Sequence, residues 1–208
     1  MNKIFFIADT HFGHKNVLKL CPNRPLAQEN DTVAHDEWLM EMWNSTVNKN
    51  DYIYILGDFS FSPPNKTITL LERLSGRKHF IVGNHDKQTD KIAHLFESMS
   101  QIKDLVFTPN IYPFLNTEIC VTLCHYPMVS WNKKPYGAIM LHGHCHGNID
   151  AFNYESKELR FDVGIDGELS RQCGGIVDLE TIYQAAISKA GTDDFRSYSQ
   201  AHYRKDLL

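Results

Sequence analysis

Aspartate, asparagine and histidine recur in five short strings of this chain: Asp9-Thr10-His11, Gly57-Asp58, Gly83-Asn84-His85-Asp86, His125 and Gly143-His144-Cys145-His146. Each string begins where a run of apolar, β-branched or aromatic residues stops. Parallel strands that end in this way bring side chains from distant parts of a sequence to one sheet edge. The residue types are those that hold divalent cations. Two such ions side by side repel each other, so a site for both needs anionic ligands, one of them shared, with neutral imidazoles completing the shells. Asp9 and His11 project to the same side if the chain there is extended, because strand side chains alternate. Asp58 follows a second strand, and Gly57 leaves room for close approach. Asn84 offers a neutral amide oxygen, His144 and His146 repeat the i, i+2 spacing, and His125 supplies one more imidazole. Oxygen and nitrogen donors without thiolate suit manganese, and also iron, zinc, cobalt or nickel, but neither copper(I) nor a structural zinc.

The strings differ in weight. Ordinary residue usage yields Asp-x-His in roughly one chain in four of this length, but Gly-Asn-His-Asp in about one in a thousand. The tetrapeptide and the order of the set therefore carry the reading. Other residues have plainer explanations. His14, His35, His79, His94 and His202 fit surface or core positions, and His142 fits a buried strand end. Cys145, between two histidines, is expected to point away from them into the core. Turn chemistry accounts for Asp162 and Asp166 around Gly164. Trp131, Lys133, Lys134 and Tyr136 follow His125 in a loop. It reads equally as a base-stacking, phosphate-contacting rim or as an ordinary solvated loop.

The elements that must position these strings follow from hydrophobic pattern. Lys3–Ala8, Tyr52–Leu56 and His79–Val82 read as buried strands, each ending at one of the strings. Between them, Asp31 caps a helix over Thr32–Val47, with Leu39, Met42, Trp43 and Val47 on one face. Pro63-Pro64 opens a second helix, which Gly76 is expected to close. Strand, helix, strand, helix, strand predicts right-handed crossovers and a parallel sheet. The second half is richer in strands: Asp104–Phe107, Ile111–Leu115 and Glu118–Cys124 as a meander, then Ala138–Leu141, Arg160–Val163 and Ile176–Val177. Asp178 caps a last helix that ends at Gly191.

The chain has 208 residues, 42% of them hydrophobic and 22% charged, which suits one domain with a proper core. Its formal net charge is −4 and no Lys/Arg stripe stands out, so large nucleic acids are not expected as partners. The apolar opening is interrupted by Asp9 and His11 before a signal-peptide core forms, and no run reaches transmembrane length. A soluble, cytoplasmic protein is expected, with no membrane partner. Its five cysteines form no CxxC pair and read as reduced thiols.

Taken together, the strings span residues 9–146 and resemble the signature of the calcineurin-like metallophosphoesterase superfamily. The stretch from Asp9 to His14 followed by Asn23-Arg24-Pro25 is similar to a small bacterial and phage group within it. The resemblance implies an α/β fold, a four-layer α/β/β/α sandwich with two mixed β-sheets flanked by helices. Residues 1–191 would form that domain, and 192–208 a polar C-terminal tail. It also implies two divalent metal ions, one held by Asp9, His11, Asp58 and His146, the other by Asp58, Asn84, His125 and His144, with Asp58 bridging. The expected activity is hydrolysis of phosphomonoesters or small phosphodiesters, nucleotide-type substrates included, by in-line attack of a metal-bridging hydroxide. His85 resembles the family's non-ligand histidine, which stabilises or protonates the leaving oxygen, and Asp86 would orient it. Arg24 or His14, close to the first string, is expected on the substrate phosphate. Family members often carry a second acid shortly after Gly-Asp; Phe59-Ser60-Phe61 stands here instead. Two other functions compete. One is a nuclease for short or single-stranded nucleic acid, which would need a basic groove. The other is a non-catalytic binding or scaffold module, a role such folds take on after losing ligands that this chain retains.

Overall fold

In a computed structural model, which describes residues 2–203, two mixed sheets pack face to face and are flanked by helices. The first sheet is built on β1 (Ile4–Ile7), β2 (Tyr52–Ile55) and β3 (Arg77–Ile81), which run parallel. The residues of β1 and β2 are apolar on both faces because both faces are covered, whereas β3 opens on Arg77, Lys78 and His79 and is buried only at Phe80 and Ile81. Ile4, Phe6, Ala8, Tyr54, Leu56 and Ile81 point toward the second sheet. The alternate residues Phe5, Ile7, Ile53, Ile55 and Phe80 pack under α2 (Thr32–Thr46) and α3 (Pro64–Arg73). As the sequence predicts, Asp31 caps α2, accepting from the amides of Val33 and Ala34, and the helix buries Leu39 and Trp43. Two short strands complete this sheet: β4 (Ser98–Ser100), parallel to β3, and β9 (Val177–Asp178), antiparallel to β1.

The second sheet has the order β5 (Ile102–Phe107), β6 (Ile119–Cys124), β7 (Ile139–His142), β8 (Arg160–Asp162). β5 is antiparallel to β6, and the other pairs are parallel. Val121, Leu123, Ile139 and Leu141 meet the first sheet's inner face, and α6 (Leu179–Ala190) adds Leu179, Ile182, Tyr183 and Ala186 to the same core. On the outer face Cys124, Trp131, Ala138 and Met140 form a smaller cluster. The two sheets are stitched together next to the ligand-bearing loops. There Ala8 pairs with Gly164, donating to Val163 O at 3.0 Å and accepting from the Ile165 amide at 3.0 Å.

Several expectations are corrected. Residues 111–115 form no strand: turn bonds from Ile111 and Tyr112 to Thr108 O, and from Leu115 to Tyr112 O, coil the segment around Pro113. Gly76 does not cap α3, whose chain leaves in extended form at Leu74. Its left-handed φ of +96° instead lets the backbone pass Val47, whose Cγ1 would lie 2.7 Å from a Cβ at Gly76. The short polar strand β4 carries no hydrophobic signal and escapes sequence reading. Within the segment expected as a polar tail, α7 (Phe195–Tyr203) buries Phe195 against Gly137. Residues 204–208 of that segment lie outside the described residues.

Candidate metal centre

The strings converge at the carboxyl ends of β1, β2, β3, β6 and β7. They do not arrive by strand alternation. Asp9, His11, Asp58, His144 and His146 all have positive φ, between +49° and +70°. That conformation costs a non-glycine residue about 1–2 kcal/mol. Asp9 and His11 therefore meet through a left-handed turn, not along an extended strand. The glycines beside them serve proximity. A Cβ on Gly57 would lie 2.5 Å from His125 Nδ1, and one on Gly143 would lie 2.6 Å from Asp9 Oδ2.

Two donor sets share one oxygen. In the first, His11 Nε2 stands 3.9 Å from Asp9 Oδ1 and 3.8 Å from Asp58 Oδ2. His146 joins Asp9 and His11 with donor atoms within 4.8 Å of one another. In the second, His125 Nε2 stands 3.5 Å from Asp58 Oδ2 and 2.9 Å from Asn84 Oδ1, and His144 Nδ1 lies 2.9 Å from the same Asn84 oxygen. Asp9 Oδ1 and both ring nitrogens of His11 are buried without a hydrogen-bond partner. Buried polar atoms in proteins are usually paired; orphans occur here also at His14, His35, Ser100, Arg160 and Ser170, but at Asp9 and His11 they coincide with an oxygen/nitrogen donor set that fits divalent cations.

Burial sets the electrostatics. It lifts the Asp9 carboxyl to about 7, with Asp162 and Asp58 adding to the effect. It drops His11 to about 3, helped by the positive Arg24. Burial opposes ionisation of Asp58, yet hydrogen bonds from His125 and from the His85 amide hold its carboxyl below the usual range. His146 goes the other way. Burial lowers it, but the Asp166 carboxylate on its Nδ1, at 2.7 Å, raises it to about 10.

The supporting residues depart furthest from expectation. Arg24 is 2% exposed and points inward. Its Nε donates to Asp166 Oδ1 at 2.9 Å and its Nη2 to Asp166 Oδ2, while Nη2 and Nη1 donate to the carbonyls of Asp9 at 2.7 Å and Thr10 at 3.2 Å. With its donors so engaged it is a brace, not a substrate ligand. Asp166, read from sequence as turn chemistry, orients His146 from behind and accepts the Arg24 fork; Cys21 Sγ adds a contact to His146 Nδ1 at 3.4 Å. Asp86 does not orient the His85 ring. Its carboxylate accepts from the amides of Asp58 and Gly83 at 2.7 Å and Phe59 at 3.0 Å, fastening the loops after β2 and β3 together. Asp162 does the same for the loops after β7 and β8, accepting from Gly147 at 3.2 Å and Gly164 at 2.8 Å. His142 is buried as expected, its Nδ1 donating to Gly143 O and its Nε2 accepting from Asn153. Burial pushes the half-buried Cys145 thiol up to about 11, far from a reactive thiolate.

His85 is exposed at the mouth, its ring 6.0 Å from that of His11. His14 is half-buried 5.7 Å from His11 on the same rim. Of the two readings of the loop after His125, the stacking rim is the one the structure does not form. Trp131 is 6% exposed and donates to Ala138 O, Lys134 is paired with Glu158, and Lys133 and Tyr136 line a cavity at the far end of β6. The aromatic residues that do border the centre are Phe61 and Tyr126, which no motif singled out.

A sandwich of two mixed sheets carrying such a centre at its strand ends defines a class of metal-dependent phosphoester hydrolases. The calcineurin-like phosphoesterase family matches residues 2–171, and the chain belongs to it. An uncharacterized protein of Methanocaldococcus jannaschii is 36% identical over 150 residues, covering 71% of this chain and 72% of its own. The Gene 66 protein of Mycobacterium phage L5 is 30% identical over 206 residues, 88% of this chain and 93% of its own, in keeping with the phage and bacterial group. The crystal structure of an Aquifex aeolicus protein of unknown function superposes with a TM-score of 0.62 at 20% identity, covering 89% of this chain and all of that one, and shares the fold. Among the described residues no helix is long and apolar enough to cross a membrane.

Proposed function

We propose that the chain is a dinuclear phosphoesterase for small phosphomonoesters or phosphodiesters, using manganese or a similar divalent metal in the cytoplasm. The observation that carries this reading is the pair of donor sets meeting at Asp58 Oδ2, with Asp9 Oδ1 and the His11 ring nitrogens left without a hydrogen-bond partner beside it. Bound divalent cations would lower the pKa of water and neutralise phosphoryl charge there. Asp9, His11, Asp58 and His146 would hold one ion, and Asp58, Asn84, His125 and His144 the other. His85, free of the donor sets and facing the mouth, donates a proton to the leaving oxygen. His14, next to it on the rim, offers an N–H to a phosphoryl oxygen. Asp86 supports both metal-bearing loops through their backbone amides.

Metal analysis together with hydrolysis of bis(p-nitrophenyl) phosphate in manganese tests the proposal. Two ions per chain and metal-dependent turnover are expected. His85→Ala should keep both ions and lose about 10²–10⁴ in rate. A folded protein holding two ions without turnover of any phosphoester would mark a binding module instead.

A further inference from the structure

We infer that the site selects phosphoesters whose leaving group carries a planar ring, and that Phe61 is the residue that selects them; this rests on the phosphoesterase reading above. Phe61 enters from the loop after β2, its amide donating to Phe12 O at 2.9 Å, which ties the backbone beside His11. Core packing does not demand a ring here: Phe59, two residues earlier, is the buried aromatic of this loop, whereas Phe61 is 40% exposed. Its ring lies among three imidazoles. It stacks on His11 at 5.2 Å and 27°, meets His14 edge-on at 4.2 Å, and stands 5.0 Å from His85.

That placement is chemically directed. In an in-line displacement a water-derived oxygen bonds to phosphorus as the bond to the leaving oxygen breaks, and the leaving oxygen takes its proton from His85. The carbon skeleton attached to that oxygen then emerges alongside Phe61. A compact alkyl group gains little from the exposed part of the Phe61 ring. A nucleobase or aryl ring stacks on it, with an affinity gain of about tenfold or more. On the side of the second donor set, Tyr126 is 44% exposed, its ring 4.8 Å from His144 and 5.1 Å from His125, so the centre has an aromatic border there too.

The test is calorimetric titration of the manganese-loaded protein with two matched pairs. AMP and ribose 5-phosphate differ by the base; phenyl phosphate and methyl phosphate differ by a ring on the ester oxygen itself. For any member that is hydrolysed, kcat/KM is compared in the same way. The ring-bearing member of at least one pair is expected to bind about tenfold or more tighter, and the ratio should fall below about threefold in Phe61→Ala. Phe61→Leu, apolar but not planar, should lose most of the preference, and Phe61→Tyr should keep it. A preference confined to AMP assigns a nucleoside leaving group, and one confined to phenyl phosphate an aryl ester. Equal affinity within both pairs in the unmodified protein, or a preference that survives Phe61→Ala, overturns the inference and leaves the phosphoesterase reading intact. Failure of all four esters to bind, with two ions held, overturns the inference, and absence of bis(p-nitrophenyl) phosphate turnover as well overturns the phosphoesterase reading.

Discussion

Replacing Arg24 separates two roles that the sequence alone leaves entangled. A substrate-binding arginine at the rim could be lost with little effect on folding. The arginine in place here is buried and spends its donors on Asp166 and on the carbonyls of Asp9 and Thr10. Arg24→Met removes that fork and leaves the Asp166 carboxylate, also buried, with only His146 as a charged partner. Breaking a buried ion pair from one side costs about 3–5 kcal/mol, a large part of the 5–15 kcal/mol that typically holds a domain together. Urea unfolding of the chelated protein should therefore show a lower midpoint with an unchanged slope. Arg24→Lys should recover only part of the loss, because an ammonium cannot fill both carboxylate oxygens and reach the two carbonyls. Arg24→Met combined with Asp166→Asn should cost less than the sum of the single changes, since the second removes the charge the first strands. An unchanged midpoint in Arg24→Met, with a raised KM for phosphoester, would refute the brace and restore the substrate-contact role.

Two further outcomes follow from the same surroundings. Asp166→Asn should weaken binding of the ion at Asp9, His11 and His146 by about 10–100-fold, read by metal titration, with the second ion retained; equal loss of both ions would show that Asp166 acts on the fold at large. Metal uptake should also release protons. In the ion-free protein Asp9 titrates at about 7 and His146 at about 10, both above their ordinary values. Each thus adds stability below its unfolded pKa that is lost as pH rises through the folded one, and an incoming cation must displace these protons. Affinity should rise with pH through 7, with buffer-dependent calorimetric heats. A pH-independent affinity between 6 and 8 would contradict these ionisation states.

Much of the scaffold is legible because it obeys period. β1 and β2 are short apolar runs ended by polar strings, β3 shows that pattern only at Phe80 and Ile81, and Asp31 and Asp178 each cap the helix that follows. The seven donor positions are legible because their residue types are rare in such order. Asp166 is not legible: its partners His146 and Arg24 lie 20 and 142 residues away. Locally it is one more aspartate beside glycine, and only the folded chain reveals what it faces. Arg24 misleads for the complementary reason, since nearness in sequence to a ligand string says nothing about which way a side chain enters. Ile111–Leu115 reads as a strand by composition, but Pro113 cannot donate to a ladder, and the segment closes on itself in turns.

The extended-strand assumption for Asp9 and His11 fails for a deeper reason. Five of the candidate ligand positions sit in the left-handed region, and together their conformations carry a strain of several kcal/mol by the same per-residue cost. What offsets it is a set of bonds between the loops themselves. The Asp9 amide donates to Gly57 O at 3.1 Å, the His11 amide to Asp58 O at 3.0 Å, and the His144 amide to Asp9 Oδ2 at 2.8 Å. Arg24 grips the first loop, Asp86 ties the second to the third, and Asp162 ties the loop after β7 to the one after β8. The acids around this centre are thus divided between two tasks. Asp86, Asp162 and Asp166 spend their oxygens on amides, a guanidinium and an imidazole. Asp9 and Asp58 spend one oxygen each on a backbone amide and turn the other toward the donor cluster. A donor set held by this many protein–protein bonds is fixed by the fold itself, so under the proposed dinuclear reading the energy of cation binding would be free to act on the ligand shell and the substrate instead of on folding.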